Sequence, residues 1–115
     1  MTLVIISLTL NVLVLVPVCA GLAADAKWTH EAWGDPTPAR GILLSIYFAI
    51  LLLSLALLWI REPRLVAPLL AVQVIYKITT PWSVGTLRNP VVLSNLAIAA
   101  AHTATLAVIW PQLGL

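Results

Sequence analysis

Long apolar stretches separated by short polar connections dominate the chain. Three of them contain no Lys, Arg, Asp or Glu: residues 1–24, 41–60 and 89–115. Each is long enough to cross a hydrocarbon core as a helix, which takes about 20 residues. A fourth stretch, residues 65–82, is apolar apart from Gln73, Lys77 and a few hydroxyls, and its roughly 18 residues span about 27 Å as a helix. The pattern predicts four membrane-spanning helices.

Turn residues sharpen the limits of these helices. Thr37-Pro38 and Asn89-Pro90 each place an N-capping side chain before a proline at the first helical position, so a helix is expected to begin at each. The short connection 61–64 is expected to force the second and third spans into an antiparallel hairpin. Pro81 is expected to end the third span.

The predicted fold is therefore an all-α, integral membrane four-helix bundle of up-down-up-down topology, with both termini on the same side. One transmembrane domain covers residues 1–115. Its predicted parts are spans at about 2–23, 39–60, 64–81 and 90–110 and an interfacial loop at 24–38. The first span also resembles a secretory signal peptide, but no basic residue precedes it, so we expect it to remain as a helix.

Composition and tryptophan placement agree with this fold. Of the 115 residues, 62% are apolar and 9% are charged, with a net charge of +2. Water-soluble domains have about 25% charged residues, so an ordinary soluble domain is excluded, as is a basic nucleic-acid surface. Indole rings favour membrane–water boundaries, and the predicted interfacial anchors lie at the ends of the spans. These anchors are Trp28, Trp33, Trp59, Trp82 and Trp110.

Polar side chains inside the spans are candidates for function, because they are costly in hydrocarbon. The predicted polar intramembrane cluster contains Asn11, Gln73, Lys77, Asn95 and His102. His102 lies near mid-membrane, where a neutral imidazole could bind a haem iron or a chlorophyll magnesium. The alternative, which the absence of a second ligand motif favours, is a hydrogen bond to Asn11, Ser7 or Gln73 on a neighbouring helix. For Lys77, one turn before Pro81, we expect the ammonium to reach the headgroup region, and the alternative is a buried partner or a ligand contact.

Two further patterns bear on partners. Ala97, Ala101 and Thr105 form a small-residue pattern on the last span, which allows close approach of another helix from this chain or a second one. The first loop contains Asp25, His30, Glu31 and Asp35, which are metal-ligand types at spacings that match no metal motif. With two tryptophans among them, they favour an amphipathic interfacial segment over a metal site.

The general layout resembles one known group of membrane proteins. A long first helix, a loop with tryptophans and Ala39-Arg40-Gly41 opening a leucine-rich second helix are similar to the layout of the DoxX-like small four-helix proteins. The segment 76–95 (YKITTPWSVGTLRNPVVLSN) matches no named motif. No functional residue is carried over from the resemblance.

No catalytic constellation is evident in the sequence, so we expect a protein that is not an enzyme. The favoured expectation is a non-catalytic accessory subunit of a larger integral membrane complex, for example a respiratory or photosynthetic one, packed against partner helices and lipid. The alternative is a small lipid-, quinone- or pigment-binding carrier, and a transporter is disfavoured because no acid lies within a span. We expect a multi-pass protein of a bacterial inner membrane, with no nucleic-acid partner.

Overall fold

Five α-helices account for nearly the whole chain. The computed structural model describes residues 1–115 and contains α1 (Thr2–Ala23), α2 (Lys27–Trp33), α3 (Pro38–Ile60), α4 (Pro63–Val84), α5 (Pro90–Ile109) and a 3₁₀ turn at Trp110–Leu113. Four of the helices, α1, α3, α4 and α5, are long and apolar enough to cross a membrane. The all-α four-helix bundle predicted from the sequence is confirmed.

The four long helices are arranged in the order α3–α1–α5–α4. Helix α1 packs along α3, helix α4 packs along α5, and contacts between α1 and α5 join the two pairs. Ser7 meets Thr105 and Asn11 meets His102, so α1 and α5 run in opposite directions. Thr105 also donates a hydrogen bond to the Leu3 carbonyl, which places the two ends of the chain together. We call this the terminal end of the bundle, and the opposite end, which carries α2, the α2 end.

Helices α3 and α4 run antiparallel, as predicted from the short connection. The two helices follow one another through Arg61 and Glu62, but they share few contacts. A short connection fixes the direction of the next helix and does not fix how far the two helices touch. The polar side chains of α1 and α5 bond across the bundle axis, and α3 and α4 therefore lie at the two outer positions of the arrangement.

Helices α3 and α5 begin at the predicted capping residues, whereas α4 does not end at Pro81 as predicted. Thr37 and Asn89 accept hydrogen bonds from the backbone at the starts of α3 and α5, as predicted. Helix α4 continues through Pro81 and ends at Gly85, whose φ of 84° is left-handed. Pro81 has no backbone N–H, so it cannot donate the usual helical hydrogen bond to the Lys77 carbonyl. The Thr80 hydroxyl donates to that carbonyl at 3.0 Å instead.

Two apolar clusters form the core. The cluster at the terminal end draws on all four long helices and consists of Val4, Leu8, Leu57, Val66, Ala67, Leu70 and Ile109. The cluster nearer the α2 end draws on α1 and α3 alone and consists of Leu15, Cys19, Leu22, Tyr47, Ile50 and Leu51. The bundle is thus closed by apolar packing at the terminal end. At the α2 end, neither α4 nor α5 contributes a residue to this second cluster, although Val92 of α5 is buried there.

Candidate functional site

A column of polar side chains runs along the inside of the bundle. At the terminal end the Ser7 and Thr105 hydroxyls are 2.6 Å apart. The middle layer contains Asn11, Ser54, Gln73 and His102, and the layer toward the α2 end contains Lys77, Asn95 and Thr80. The structure therefore brings together all five members of the polar cluster, in two layers.

The middle layer is centred on His102, which is 0% exposed. Its Nε2 lies 2.8 Å from Asn11 Oδ1 and 3.1 Å from Gln73 Oε1. Because Asn11 Nδ2 donates to the Ser54 hydroxyl at 3.0 Å, the Asn11 oxygen must face the ring. Two acceptors facing one ring nitrogen require that His102 Nε2 carries the proton and donates it. The imidazole thus joins α1 to α4 and α5.

The fit of His102 to a macrocycle is poor. Its Nε2 is engaged by two amide oxygens, and its Nδ1 is buried without a hydrogen-bond partner, as is Gln73 Nε2. None of the five main cavities is lined by His102. A haem or a chlorophyll needs a flat space beside the liganding nitrogen, and the helices leave none there. The residues present support the hydrogen-bonding interpretation and do not fit a haem or a chlorophyll.

Lys77 does not reach the headgroup region, contrary to expectation. The residue is 5% exposed, and its Nζ donates to Asn95 Oδ1 at 3.0 Å. The same Nζ lies 4.9 Å from the centre of the Tyr76 ring, which is a cation–π distance. The helical phase of α4 explains the difference, because Gln73 and Lys77 are one turn apart and both point to the bundle interior.

A cleft of about 250 Å³ opens beside this layer at the α2 end. Its walls come from the first half of α3, the second half of α4 and the first turns of α5, and residues of α2 cover it. The lining residues include Trp33, Tyr47, Tyr76, Thr80 and Asn95. The cleft lies where α3 and α4 are only loosely in contact, and its exposed wall residues, such as Thr79, connect it to the outside of the bundle.

The Lys77 ammonium is linked to this cleft through Asn95. Asn95 accepts from Lys77 and donates to the Thr80 hydroxyl at 3.2 Å, and both Asn95 and Thr80 line the cleft. A void of about 40 Å³ lies beside Lys77 and shares Trp33, Tyr47 and Asn95 with the cleft wall. Such a void has room for a water-sized group. The cleft and the void beside Lys77 are therefore neighbours that share part of one wall.

A charged network fastens α2 over the α2 end of the bundle. The buried Arg40 donates to the Gly34 carbonyl at 2.7 Å, to Asp25 at 3.0 Å and to Thr29 at 3.0 Å. His30 lies between Asp25 and Asp35 at 2.7 and 2.8 Å. Three of the four metal-ligand types of the first loop, Asp25, His30 and Asp35, are thus paired with one another, and no group of three is arranged to hold an ion.

Ionisation of this network follows from its contacts. Hydrogen bonds to Asp35 and then to Asp25 raise the pKa of His30, and the smaller effect of desolvation works against them. For Asp25, desolvation alone would raise the pKa, but hydrogen bonds from His30 and Arg40 together hold the pKa below its ordinary value. The network is therefore most fully charged at mildly acidic pH.

The small residues of α5 divide between the inside and the outside of the bundle. Thr105 is buried and bonds to Ser7, while Ala101 is half-buried. Ala97, Ala100 and Ala104 are exposed. Of the three predicted packing residues, Thr105 is therefore used within this chain, whereas Ala97 faces outward together with Ala100 and Ala104.

The tryptophans lie at both ends of the bundle. Trp59 and Trp110 are at the terminal end, and Trp28, Trp33 and Trp82 are at the α2 end. Four of them are at least half exposed, whereas Trp33 is half-buried against Tyr47, to whose hydroxyl it donates at 3.4 Å. Trp33 is thus part of the cleft as well as of the interface.

Sequence reasoning missed three residues of the site. Tyr47 and Tyr76 line the cleft, and Arg40 anchors α2. For Tyr47 a signal exists, because Tyr47, Ile50 and Ser54 follow helical spacing and mark one inward face. Arg40 and Tyr76 carry no comparable signal, since their partners come from other elements.

Fold and site together define a small helical bundle with four potential membrane spans, a polar interior and a one-sided cleft. No family model, curated protein or solved structure matches the chain. The DoxX-like resemblance in layout therefore gains no support from a family model.

Proposed function

We propose that this chain binds a small amphipathic molecule of the membrane, of the lipid or quinone class, in the cleft between α3 and α4. The observation that carries the proposal is Lys77, a buried amine whose only hydrogen bond goes to one amide oxygen beside an open cleft. Ionisable residues inside membrane spans are expensive and generally mark substrate or ion sites. This is the carrier alternative of the sequence analysis, moved from mid-bundle to the α2 end.

The composition of the cleft fits such a ligand. Small-molecule sites are mostly apolar, with a few polar groups that orient the ligand. Apolar wall residues such as Leu43 and Val92 provide the first property, and the Tyr47, Thr80 and Asn95 side chains provide the second. At about 250 Å³ the cleft is slightly smaller than the roughly 300 Å³ at which sites for drug-sized ligands begin, so it suits one end of a longer molecule.

Three hollows are larger than the cleft. The smallest of them, of about 320 Å³, is lined by Arg40, whose guanidinium is already bonded to Gly34, Asp25 and Thr29. The other two lack the features of the cleft. One, of about 410 Å³, lies between α4 and the C-terminal turn, and the other, of about 600 Å³, lies on the outer side of α4 and α5 at the α2 end. Neither is lined by a buried polar residue. Surface grooves of this kind are expected wherever lipid chains cover a membrane protein, and they offer no group that selects a ligand.

Native mass spectrometry of the chain, extracted in mild detergent, tests the proposal. A reproducible extra mass is expected on the wild type and is expected to disappear in Ala32→Trp, which fills the cleft from α2. Ala56→Trp, on the exposed face of α3, is the matched control and should retain the mass. A wild type without an added mass, or an added mass that survives in Ala32→Trp, would contradict cleft binding.

A second proposal is the accessory-subunit role in a larger membrane complex, such as a respiratory or photosynthetic one. It is favoured by the exposed Ala97, Ala100 and Ala104, because small residues on a membrane helix permit close approach of a second helix. In the same spectrum the chain should then appear within a larger hetero-complex. Ala104→Leu should weaken that complex, whereas Ala49→Leu on exposed α3 should not.

The membrane itself is also a proposal. We propose the cytoplasmic membrane of a bacterium, and the four apolar helices support a multi-pass membrane protein. Fractionation of tagged chain between inner and outer membranes tests it, and recovery in any other fraction would exclude it.

A further inference from the structure

We propose that the ligand of the cleft is a single-chain acid, whose ionised headgroup pairs with the Lys77 ammonium and whose apolar chain lies along the seam between α3 and α4. This inference rests on the proposed function and narrows its ligand from amphipathic molecules in general to anionic ones. A long-chain carboxylate has the required chemistry.

The membrane-spanning helices contain a buried lysine but no acidic residue. The only four acidic residues are Asp25, Glu31, Asp35 and Glu62, and all lie outside the membrane-spanning segments. Asp25 and Asp35 are bonded to His30, and Asp25 is bonded also to Arg40. No anion of this chain is therefore available to Lys77, and a buried ammonium without a counter-ion is unfavourable by several kcal/mol. An acidic ligand supplies the negative charge that this chain does not place beside Lys77.

The hydrogen-bond donors around the cleft match an ionised carboxylate. Lys77 has three N–H donors, and Asn95 accepts only one. Tyr47 accepts a hydrogen bond from Trp33, so its own hydroxyl proton remains free to donate, and Tyr47 borders both the cleft and the void beside Lys77. An ionised carboxylate only accepts hydrogen bonds, so its two oxygens match this set of donors.

The position of Lys77 along α4 limits the shape of the ligand. Lys77 is seven residues before the last residue of α4, Val84, which corresponds to about 10 Å along a helix. The headgroup must therefore enter below the end of the helix, through a cleft of about 250 Å³. A phospholipid with two chains and a bulky headgroup is ill suited to this entry. One carboxylate followed by one chain fits, because the cleft opens between α3 and α4 beside the exposed Thr79.

The test compares two probes that differ only in charge. Oleate and methyl oleate are titrated into the purified chain in detergent, and binding is measured by native mass spectrometry. Wild type should bind oleate about tenfold or more tightly than the ester, since a charge-assisted hydrogen bond contributes roughly 1.5–3 kcal/mol. Lys77→Gln should remove that preference while retaining ester binding, which also reports that the variant is folded. Lys27→Gln, an exposed lysine at the same end, should behave as wild type.

A second variant adds a negative charge beside Lys77 instead of removing the amine. Asn95→Asp places a carboxylate at the position that now accepts from Lys77 at 3.0 Å. This internal anion should compete with oleate and lower its affinity by a similar factor, without affecting the ester.

The outcomes separate this inference from the proposed function. Equal binding of acid and ester, or an acid preference that survives in Lys77→Gln, overturns the acidic ligand. If the ester or a short-chain quinone nevertheless binds and Ala32→Trp blocks it, cleft binding stands with a neutral ligand. If none of these probes binds to wild type, both proposals fail.

Discussion

The two ends of the bundle are built on different principles. At the terminal end, Val4, Leu8, Val66 and Leu70 are completely buried, and side chains from all four long helices meet there. At the α2 end, α4 contributes a buried amine and a wall of tyrosine and threonine instead of apolar packing. One end holds the helices together, and the other has the chemistry to recognise a ligand.

If the cleft binds a ligand as we propose, the comparison explains how a short chain can hold such a site and remain folded. Interior polar groups cost more in a membrane than in water, because no solvent is available to satisfy them. Placing the buried amine and the cleft at one end allows the opposite end to be packed densely around a single pair of hydroxyls. The predictions below test this division from the largest expected effect to the smallest.

The largest effect is expected for Lys77→Met, which removes the buried amine. Replacing a buried ion pair by apolar residues of similar volume is often stabilising by about 1–4 kcal/mol. Lys77 has no counter-ion to offset its burial, so the variant should unfold later than wild type. The measurement is denaturation with increasing SDS in mixed micelles, followed by helical circular dichroism. The exposed Lys27→Met should leave the midpoint unchanged. Earlier unfolding of Lys77→Met would mean that the amine stabilises the fold and that the two ends do not differ in this way.

Leu8→Ala probes the terminal end. In lipid the exposed state of leucine is already apolar, so only the packing part of the roughly 2–5 kcal/mol seen in water-soluble cores is lost, and we expect destabilisation by about 1–2 kcal/mol. Leu13→Ala, on the same helix but 68% exposed, should cost much less. The same SDS titration measures both variants. Equal effects would show that α1 packs without a preferred face.

A double-mutant cycle on Asn11 and His102 tests the layer between the two ends. Substituting each by leucine, singly and together, should give a coupling of about 0.6 kcal/mol, and at most about 1.7, as for other hydrogen bonds between membrane helices. Asn11 paired with the exposed Thr103, changed to valine, is the control and should be additive within about 0.5 kcal/mol. No coupling between Asn11 and His102 would remove the hydrogen bond as a link between α1 and α5.

The smallest effect is expected from the network over α2. Because the pKa of His30 is raised, its pairing with Asp25 and Asp35 contributes fully below its ordinary pKa of 6.5 and is lost as pH rises through the folded value. Because the pKa of Asp25 is lowered, the contribution of Asp25, which also pairs with Arg40, is present above 3.8 and is lost as pH falls through the folded value.

Thermal unfolding at a series of pH values checks this prediction. Wild type should exceed His30→Gln by the largest margin between about pH 4 and 6.5, and the margin should shrink at alkaline pH. Glu31→Gln, an exposed neighbour on α2, should show no such profile. A margin that is independent of pH would show that His30 acts by shape and not by charge.

The sequence was sufficient for the fold class and for the helix starts, because apolar length and proline caps act locally. Thr37 and Asn89 cap the helices that the pattern assigned to them. The continuation of α4 past Pro81 was not predictable from the proline alone, since it depends on the Thr80 hydroxyl. The order of the helices was also missed, because it is set by contacts between distant residues such as Ser7 and Thr105.

For the site, spacing along a helix identified which polar residues share a face, but not their depth or their partners. Lys77 was assigned to the headgroup region because a lysine near a helix end normally extends toward water. Its burial depends on Asn95, eighteen residues away on another helix. The cleft is a gap between α3 and α4, and a gap leaves no trace in the pattern of either helix.

The helix order also has a consequence for synthesis of the chain in a membrane. Helices α1 and α3 form one compact hairpin and α4 and α5 form another, while the link at Arg61 and Glu62 joins hairpins that scarcely touch along α3 and α4. Each half can therefore enter the bilayer as a finished pair before it meets the other. Fragments 1–61 and 62–115, expressed as separate polypeptides, should find one another and rebuild the bundle through the bonds between α1 and α5.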